Sequence, residues 1–487
     1  MRILLASSEV HPYSKTGGLA DMVGALAKTL ARNGHRVGVV TPLYGGIRER
    51  FPGLKQLDLA LDLPLGAHTV RGAIWTLEPA EGLTMYFVDQ PGFYERKDLY
   101  QEHGTDYPDN AERFIFLSKA VARLALDLVW QPEVLHLHDW QVSPAALLLH
   151  HQRKQGGQGD MPGVCLTIHN LAYQGVFPAS AYGLLNLPAE YYSPRGVEFY
   201  DKFSCLKAGL VYADVVTTVS PRYAREITTE EFGCGLDGLL RQRNSSLVGI
   251  LNGVDYEEWN PANDLFLPHT YSAADLSGKQ ANKLALQQEF GLPVNADIPL
   301  FGSIGRLTEQ KGVEILLAAL EQEVPVANLQ FVLIGSGAPA VEKACQDLAR
   351  RFPSQVAVRI GFDEGISHRI EAGSDFFIMP SRFEPCGLNQ MYGLRYGTIP
   401  IVRTTGGLDD TVIDIREDDS AKANGIKFVE YSASALAKGI NKALALYNDP
   451  GLTNYFRRNA MAADFSWDRT IADYVRVYQS LTQRPKV

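Results

Sequence analysis

The stretch SKTGGLAD, residues 14–21, joins an apolar N-terminal run to a segment of helical period and carries groups suited to an anion. Gly17 and Gly18 would leave backbone N–H groups accessible at a helix start, where the partial positive charge favours negative ligands. Lys15 would add a full charge. The lysine precedes the glycines, unlike in a Walker A loop, and the same pair could simply form a turn with positive φ.

A second basic joint follows an apolar run in the other half of the chain. The segment SIGRLTEQKG places Arg306 and Lys311 just before an apolar helical pattern. A guanidinium fork and a lysine point charge on one loop suit a diphosphate. The alternative is two solvated cations, but cations are unfavourable at a helix N-terminus. The two joints together predict a diphosphate held across an interdomain cleft.

The segment SRFEPCGLNQ offers groups that could hold sugar hydroxyls. Pro385 is placed as the first residue of a helix, which predicts outward-pointing N–H groups at Cys386, Gly387 and Leu388 beside the carboxylate of Glu384. The alternative is that Glu384 caps the helix itself. The joint TTGGLDD is a further glycine-rich loop able to approach a ligand.

Histidines mark two more strand ends. VLHLHDWQ contains His136, His138 and Asp139, and CLTIHNLAYQG contains His169. His136 and His138 share one face of a strand, a spacing that could bind a metal, but no further ligand accompanies them. The sequence also lacks a D-x-D motif, so it predicts chemistry without a metal.

The composition is that of an ordinary globular protein, with 46% hydrophobic and 21% charged residues. A net charge of -9 argues against nucleic acid or an anionic membrane as a partner. The sparse cysteines contain no C-x-x-C pair, which argues against a zinc site and favours a reducing compartment. We therefore expect a cytoplasmic protein, or a plastid one if the chain is a processed form. The cysteines are Cys165, Cys205, Cys234, Cys345 and Cys386.

Short Val/Ile/Leu-rich runs alternate with helical patterns along the chain. Continuous apolar runs of this kind indicate parallel strands covered on both faces. Two serial sets predict an α/β protein with two Rossmann-like, doubly wound domains. We expect the first domain over residues 1–258 and the second over 259–465. A terminal helix over 466–487 is expected to pack back on the first domain.

Seven motifs, in order through nearly the whole chain, resemble the bacterial glycogen synthase and plant starch synthase family. They are KTGGLAD, HDW, TIHNLAYQG, LKAGLVYADVVTTVSP, GILNGVD, GRLTEQKG and SRFEPCGL. The resemblance implies the GT-B fold. It also implies transfer of glucose from ADP-glucose to the non-reducing 4-OH of an α-1,4-glucan, with retention of configuration and without a metal or other cofactor. The implied partners are thus ADP-glucose or ADP and a glucan.

The resemblance also implies roles for individual residues. The implied donor-binding residues are Lys15, Gly17, Gly18, Asp21, Asn252, Arg306, Lys311, Phe362, Cys386, Gly387 and Leu388. The implied catalytic residues are Asp139, His169, Arg306, Lys311 and Glu384. Arg306 and Lys311 would neutralise the leaving ADP, and the main-chain carbonyl at His169 would face the positive charge on the sugar. Glu384 would orient the sugar, and Phe362 would offer its ring to adenine.

Two further implied roles come with departures from the family pattern. Asn252 would contact the donor glucose, and Asp139 would lie near the reacting centre or the acceptor. Gln141 stands where histidine is frequent and Asn389 where threonine is frequent, so the choice between ADP and UDP stays open. Tyr392 replaces the second glutamate of related families, which favours the starch and glycogen synthase branch.

Three alternatives remain at this point. The chain could use UDP-glucose, could be specific for short maltooligosaccharides, or could be a catalytically weak glucan-binding protein that has kept the fold. The presence of Lys15, His169, Arg306, Lys311 and Glu384 together argues against the last of these, because a binding protein does not need all five. No carboxylate is evident as a nucleophile for a double displacement.

Overall fold

The computed structural model describes residues 1–102, 104–156 and 161–483, which form two compact units. The first unit comprises residues 1–219, 224–253 and the chain from 467 onward. The second comprises 220–223 and 254–466. The division falls at 253/254 rather than after 258, because Val254 N–H donates to the Phe465 carbonyl at 2.7 Å and Val254 bridges Ser466. Those contacts join Val254 to the second unit.

The first unit is built on a ten-stranded sheet whose parallel part follows a doubly wound order. Its elements also include an antiparallel three-stranded sheet (β11–β13) and a hairpin (β7–β8). The strands are β1 Arg2–Ala6, β2 Arg36–Pro42, β3 Lys55–Gln56, β4 Leu61–Leu65, β5 His68–Ala80, β6 Leu83–Asp89, β7 Gln101–Glu102, β8 Thr105–Asp106, β9 Val134–His138, β10 Gly163–Ile168, β11 Val176–Pro178, β12 Glu198–Phe199, β13 Lys202–Ser204, β14 Val215–Thr218 and β15 Leu247–Gly249.

The strand order of this sheet is β15-β14-β10-β9-β1-β2-β6-β5-β3, and β4 pairs with β5. The strands from β15 to β6 run parallel, while β3, β4 and β5 are antiparallel. The chain winds outward in both directions from β1 and β9. Such a reversal of strand order leaves a crevice at the carboxyl ends, where open α/β sheets bind ligands.

The second unit contains a six-stranded, all-parallel sheet. Its strands are β16 Leu300–Ile304, β17 Gln330–Gly335, β18 Val356–Ile360, β19 Phe376–Met379, β20 Ile399–Arg403 and β21 Ile426–Phe428. Their order is β18-β17-β16-β19-β20-β21, the doubly wound order of dinucleotide-binding folds. The reversal of strand order lies between β16 and β19. The predicted fold class, two doubly wound α/β domains, is confirmed.

The helices occupy the segments between the strands. They are α1 Gly18–Arg32, α2 Ile47–Arg50, α3 Pro91–Tyr94, α4 Asn110–Asp127, α5 Pro144–Lys154, α6 Cys205–Tyr212, α7 Pro221–Glu226, α8 Asp237–Gln242, α9 Ser277–Glu289, α10 Val313–Glu323, α11 Pro339–Arg351, α12 Glu364–Gly373, α13 Asn389–Arg395, α14 Gly406–Thr411, α15 Ala433–Tyr447, α16 Pro450–Ala462 and α17 Trp467–Thr482. Among the described residues, no helix is both long and apolar enough to cross a membrane.

Helix α17, near the end of the chain, packs on α1, β9 and β10 of the first unit. Its buried residues recur every three or four positions, from Trp467 to Leu481, which gives the helix one apolar face. The Tyr478 hydroxyl also lies 2.8 Å from Nδ1 of His136 in β9. The predicted terminal segment extended to 487, and residues 484–487 lie outside the described part of the chain.

Candidate active site

The loop after β1 leads into α1 with its two glycines in place. Gly17 is the N-cap of α1 and has an extended φ of -166°, and Gly18 is the first helical residue. Neither has a positive φ, so the alternative of a positive-φ turn is wrong. A Cβ at Gly17 would meet no atom within 4 Å. The fold of this unit therefore does not itself require glycine at position 17.

Two carboxylates fix this loop. Asp21, in the first turn of α1, forms an ion pair with Lys15, with Oδ1 and Nζ 2.8 Å apart. The buried Glu9 accepts hydrogen bonds from the hydroxyls of Thr16 at 2.7 Å and Tyr100 at 2.6 Å. Lys15 is thereby placed over the helix N-terminus, as an anion site needs. Sequence reasoning missed Glu9, because its partners are set by tertiary packing.

Three histidines meet at the carboxyl ends of β9 and β10. Nδ1 of His138 shares a hydrogen bond with Nε2 of His169 at 3.1 Å, and the ring centroids of His136 and His138 lie 4.0 Å apart. Both nitrogens of His136 are engaged, one by Tyr478 and the other by Thr167 at 2.6 Å. His136 therefore has no nitrogen left for a metal, and its role is structural.

Burial keeps these rings neutral. It lowers the pKa of His136 to about 3 and that of His169 to about 3, and it holds the pKa of His138 well below its usual value. Removing charge from water is unfavourable, and burial is the largest cause of these three shifts. Near neutral pH the cluster can position other groups by hydrogen bonding, but it adds no positive charge.

Asp139 follows β9 and is the most strongly perturbed carboxyl group beside these histidines. It is buried, has a left-handed φ of 61°, and accepts the His169 N–H at 2.7 Å. Burial raises its pKa to about 7, although hydrogen bonds from the backbone of His169 and Asn170 oppose the rise. A carboxyl group with this pKa can take up or release a proton at neutral pH.

Three buried amides of the first unit have a side-chain oxygen without a hydrogen-bond partner among the described residues. These are Oδ1 of Asn252, just after β15, Oε1 of Gln141, in the loop before α5, and Oε1 of Gln174. A buried polar atom left unpaired costs about 1–3 kcal/mol. The Asn252 oxygen is therefore suited to accept a hydrogen bond from a ligand hydroxyl.

In the second unit, the loops after β16 and β19 bring Lys311 and Glu384 together. Their Nζ and Oε2 atoms lie 2.5 Å apart, and the Ser381 hydroxyl donates to the same oxygen at 3.0 Å. Glu384 is buried, while Arg306, on the loop that leads to Lys311, is exposed. Because β16 and β19 are neighbours where the strand order reverses, these groups occupy the usual ligand end of the sheet.

The prediction that a helix begins at Pro385 is wrong. Helix α13 begins at Asn389, and Gly387 has a φ of 71°, a left-handed conformation that a helix cannot contain. Cys386, Gly387 and Leu388 thus form a loop before the helix. The carboxylate of Glu384 bonds to Lys311 and Ser381, so the alternative that it caps the helix is also wrong.

The glycine-rich joint after β20 supports this loop. The Gly407 N–H donates to the Glu384 carbonyl at 3.1 Å. A Cβ at Gly406 would overlap the Glu384 carbonyl oxygen, and one at Gly407 would overlap that of Cys386. In this structure the joint approaches the protein's own backbone, which explains its two glycines.

We expect Gly407→Ala to destabilise the protein by at least about 1–3 kcal/mol and to abolish activity, because the new methyl group displaces the loop that carries Glu384. Urea unfolding and an activity assay would measure both effects. Gly183→Ala is the matched control, since a Cβ there would meet no atom within 4 Å. Unchanged stability in Gly407→Ala would contradict this account.

Three further positions that the sequence analysis named are Phe362, Asn389 and Tyr392. Phe362, between β18 and α12, is 74% exposed and so presents its ring to solvent. The Asn389 amide donates to the Ile304 carbonyl at 3.0 Å, which ties α13 to the end of β16. Tyr392 stacks on Trp259 with centroids 3.7 Å apart, so the residue at this position packs in the core.

Comparison with known proteins finds a family match in each half of the chain. Residues 2–242 match the starch synthase catalytic domain family, and residues 287–462 match glycosyl transferases group 1. A glycogen synthase from Anaeromyxobacter sp. (strain Fw109-5) is 49% identical over 99% of both chains. Another, from Thioalkalivibrio sulfidiphilus, is 46% identical over 99% of this chain and 100% of its own.

Solved structures are similar as well. The catalytic domain of starch synthase IV from Arabidopsis thaliana, bound to ADP and acarbose, has a TM-score of 0.90 and 35% identity over 99% of both chains. A sucrose-phosphate synthase from Thermosynechococcus elongatus has a TM-score of 0.61 at 18% identity, covering 99% of this chain and 98% of its own. That second likeness concerns the fold alone.

Proposed function

Because this chain belongs to the starch and glycogen synthase family, we propose that it transfers glucose from ADP-glucose to the non-reducing 4-OH of an α-1,4-glucan, with retention of configuration. As an enzyme of this family it is a glucosyltransferase that acts on glucan. The donor nucleotide, the stereochemistry and the independence from metal are the parts that we propose.

The observation that carries the proposal is the Lys311–Glu384 pair at the carboxyl ends of β16 and β19. Breaking the glycosyl–phosphate bond develops negative charge on the diphosphate and positive charge on the sugar. Lys311 is held by Glu384, so it is already positioned to act on the first charge, and Arg306 adds a second cation. A lysine held by Glu384 and an arginine on the same loop can together replace a metal at the leaving group, which supports metal independence.

The same unit offers groups for the rest of the donor. The Glu384 carboxylate is positioned to accept hydrogen bonds from sugar hydroxyls, and the loop of Cys386, Gly387 and Leu388 supplies backbone groups beside it. The exposed ring of Phe362 can stack on adenine. ADP in the starch synthase IV structure supports an adenine nucleotide here.

The first unit offers groups for the diphosphate and the sugar. Lys15 and Gly17, at the start of α1, suit an anion. The unpaired Oδ1 of Asn252 can accept from a sugar hydroxyl, and the neutral His169 can do so through its ring. Acarbose in the starch synthase IV structure supports a glucan as the acceptor.

For the chemical step we propose attack from the same face as the leaving group. The acceptor 4-oxygen bonds to the anomeric carbon as the bond to the ADP oxygen breaks, and the departing phosphate takes the proton of the hydroxyl. Configuration is thereby retained. Glu384 is bonded to Lys311 and Ser381, which suits an orienting role better than that of a nucleophile.

The test is incorporation of radiolabelled glucose into glycogen or maltotriose, from ADP-glucose and from UDP-glucose separately, in the presence of EDTA. We expect strong incorporation from ADP-glucose despite EDTA. Activity with UDP-glucose alone would overturn the donor, and dependence on added metal would overturn metal independence. Binding of glucan without incorporation from either donor would favour the alternative of a weakly catalytic glucan-binding protein.

We also propose a cytoplasmic location, which rests on the sparse cysteines of the sequence. All five are free thiols in the structure, four buried and Cys234 exposed. Reduced thiols are typical of cytoplasmic proteins. Fractionation of the source cells, followed by activity assays on each fraction, would test this location.

A further inference from the structure

Glu258, Glu364 and His368 of the second unit form a cluster outside the groups assigned to the reaction. Each brings one ligand-type atom to within 4.8 Å of the others. Glu364 and His368 lie one turn apart on one face of α12, and Glu258 lies in the turn that begins at Asp255. Two carboxylates and an imidazole, drawn from two segments, form a mixed nitrogen and oxygen set of the kind that binds zinc.

His368 carries an independent sign of a ligand. Its side chain is fully buried, and Nδ1 lies 2.8 Å from Oδ2 of Asp264. Because an ionised carboxylate only accepts hydrogen bonds, Nδ1 carries the proton and Nε2 carries the lone pair. Nε2 is buried and has no hydrogen-bond partner among the described residues. Of the two ring nitrogens, Nε2 is thus the one able to take a ligand.

The surroundings of His368 hold its ring in this orientation. Trp259 stacks on it with centroids 3.7 Å apart and an interplanar angle of 12°, and Phe266 packs at 4.8 Å. Asp264 is itself held by the Tyr396 hydroxyl at 2.5 Å. A carboxylate that fixes the tautomer of a histidine is the usual support of a metal-ligating imidazole.

We propose that Glu258, Glu364 and His368 bind a Zn²⁺ ion, with solvent completing a tetrahedral set. Zinc accepts nitrogen and carboxylate oxygen together, whereas Mg²⁺ and Ca²⁺ prefer sets made of oxygen alone. The sequence argued against a zinc site because no cysteine pair is present, and this set contains no cysteine. The ion would link the turn at 255–258 to the first turn of α12 and stabilise the second unit.

The site is tested by thermal unfolding of the full chain, stripped with EDTA and dialysed, with ZnCl₂ or MgCl₂ added. We expect Zn²⁺ to raise Tm by roughly 2–8 °C and Mg²⁺ to leave it unchanged. Isothermal titration should then give one zinc ion per chain. No change with Zn²⁺, or an equal change with Mg²⁺, would overturn the proposal.

Variants identify the ligands. Glu258→Gln and Glu364→Gln should each weaken zinc binding by roughly 10–100-fold, because each removes a charged ligand atom. Glu112→Gln is the matched control: Glu112 lies in the first turn of α4 as Glu364 lies in the first turn of α12, and both are half-buried. A zinc-induced rise in Tm that persists undiminished in both variants would place the ion elsewhere and overturn the assignment.

Discussion

Lys311→Gln is expected to lower kcat/KM for the sugar nucleotide by roughly 10²–10³-fold, the usual loss when one preorganised charge donor is removed from the leaving-group side of a transition state. Lys311 is held at 2.5 Å from Glu384, so its position does not depend on the substrate. Glutamine cannot supply the charge. Steady-state kinetics with labelled donor would measure the loss.

The same substitution has a structural effect that must be separated from the catalytic one. Removing Lys311 leaves the buried Glu384 carboxylate with Ser381 as its remaining side-chain partner in the described part of the chain, and breaking a buried pair costs up to about 3–5 kcal/mol. The Lys311 side chain is 26% exposed, so solvent screening will reduce that figure. A lowered Tm in Lys311→Gln is therefore expected alongside the lower activity.

A double variant distinguishes the two effects. Lys311→Gln combined with Glu384→Gln removes the unpaired charge, so we expect Tm to recover while activity stays below that of Glu384→Gln alone. Lys343→Gln is the matched control, because Lys343 also pairs with a carboxylate, Asp347, but on the exposed face of α11. Recovery of activity together with Tm would show that Lys311 acts only on stability, and would remove it from the reaction.

The sequence indicates most clearly the parallel strands, because these strands consist mostly of apolar residues. β16 to β21 are parallel strands made mostly of apolar residues, although β18 contains Arg359 and β21 contains Lys427. β5 lacks a long apolar run although it has thirteen residues, because it is antiparallel, half-exposed and mixed in composition. The short strands β11 to β13 carry too few residues for a periodic pattern to be detected.

The candidate site was predictable where it depends on strand ends. Asp139 in the first unit, and Arg306 and Glu384 in the second, follow parallel strands beside a reversal of strand order, which brings strand ends of the same sheet together. Tertiary contacts were not predictable: Ser381 and Glu9 act through partners that packing selects. The predicted start of α13 was wrong because Pro385 suits a helix start, while the left-handed Gly387 overrides it.

Asp139→Asn is expected to lower kcat by roughly 10²–10⁴-fold while leaving the fold intact, the range for loss of a group that assists proton transfer, because its carboxylate can polarise the acceptor hydroxyl while the proton passes to the departing phosphate. Asparagine tolerates the left-handed φ of 61° and can still accept the His169 N–H through its amide oxygen. The substitution therefore removes the titrating carboxyl group and otherwise affects the second backbone hydrogen bond, from Asn170. Kinetics and far-UV circular dichroism together would measure both outcomes.

The pH dependence of activity sharpens this test. Burial raises the pKa of Asp139 to about 7, so activity that needs the carboxylate should rise as the pH increases through that value. Asp139→Asn should lack this limb of the pH profile. Asp62→Asn is the control, since Asp62 is an exposed strand aspartate paired with Arg71. A limb near neutral pH that survives in Asp139→Asn would assign the proton transfer to another group.

The pH dependence of stability gives an independent readout of the same pKa. Because the folded-state pKa of about 7 lies above the unfolded value, the native protein binds a proton that the unfolded chain has released between roughly pH 4 and 7. In that window Asp139 makes stability fall as pH rises, by up to about 1.4 kcal/mol per pH unit.

The buried His136 and His138, whose pKa values are lowered, make stability rise with pH up to about 6.5. Urea unfolding should therefore show a steeper rise of stability with pH in Asp139→Asn than in the wild type, and an equal slope would mean that Asp139 is ionised throughout.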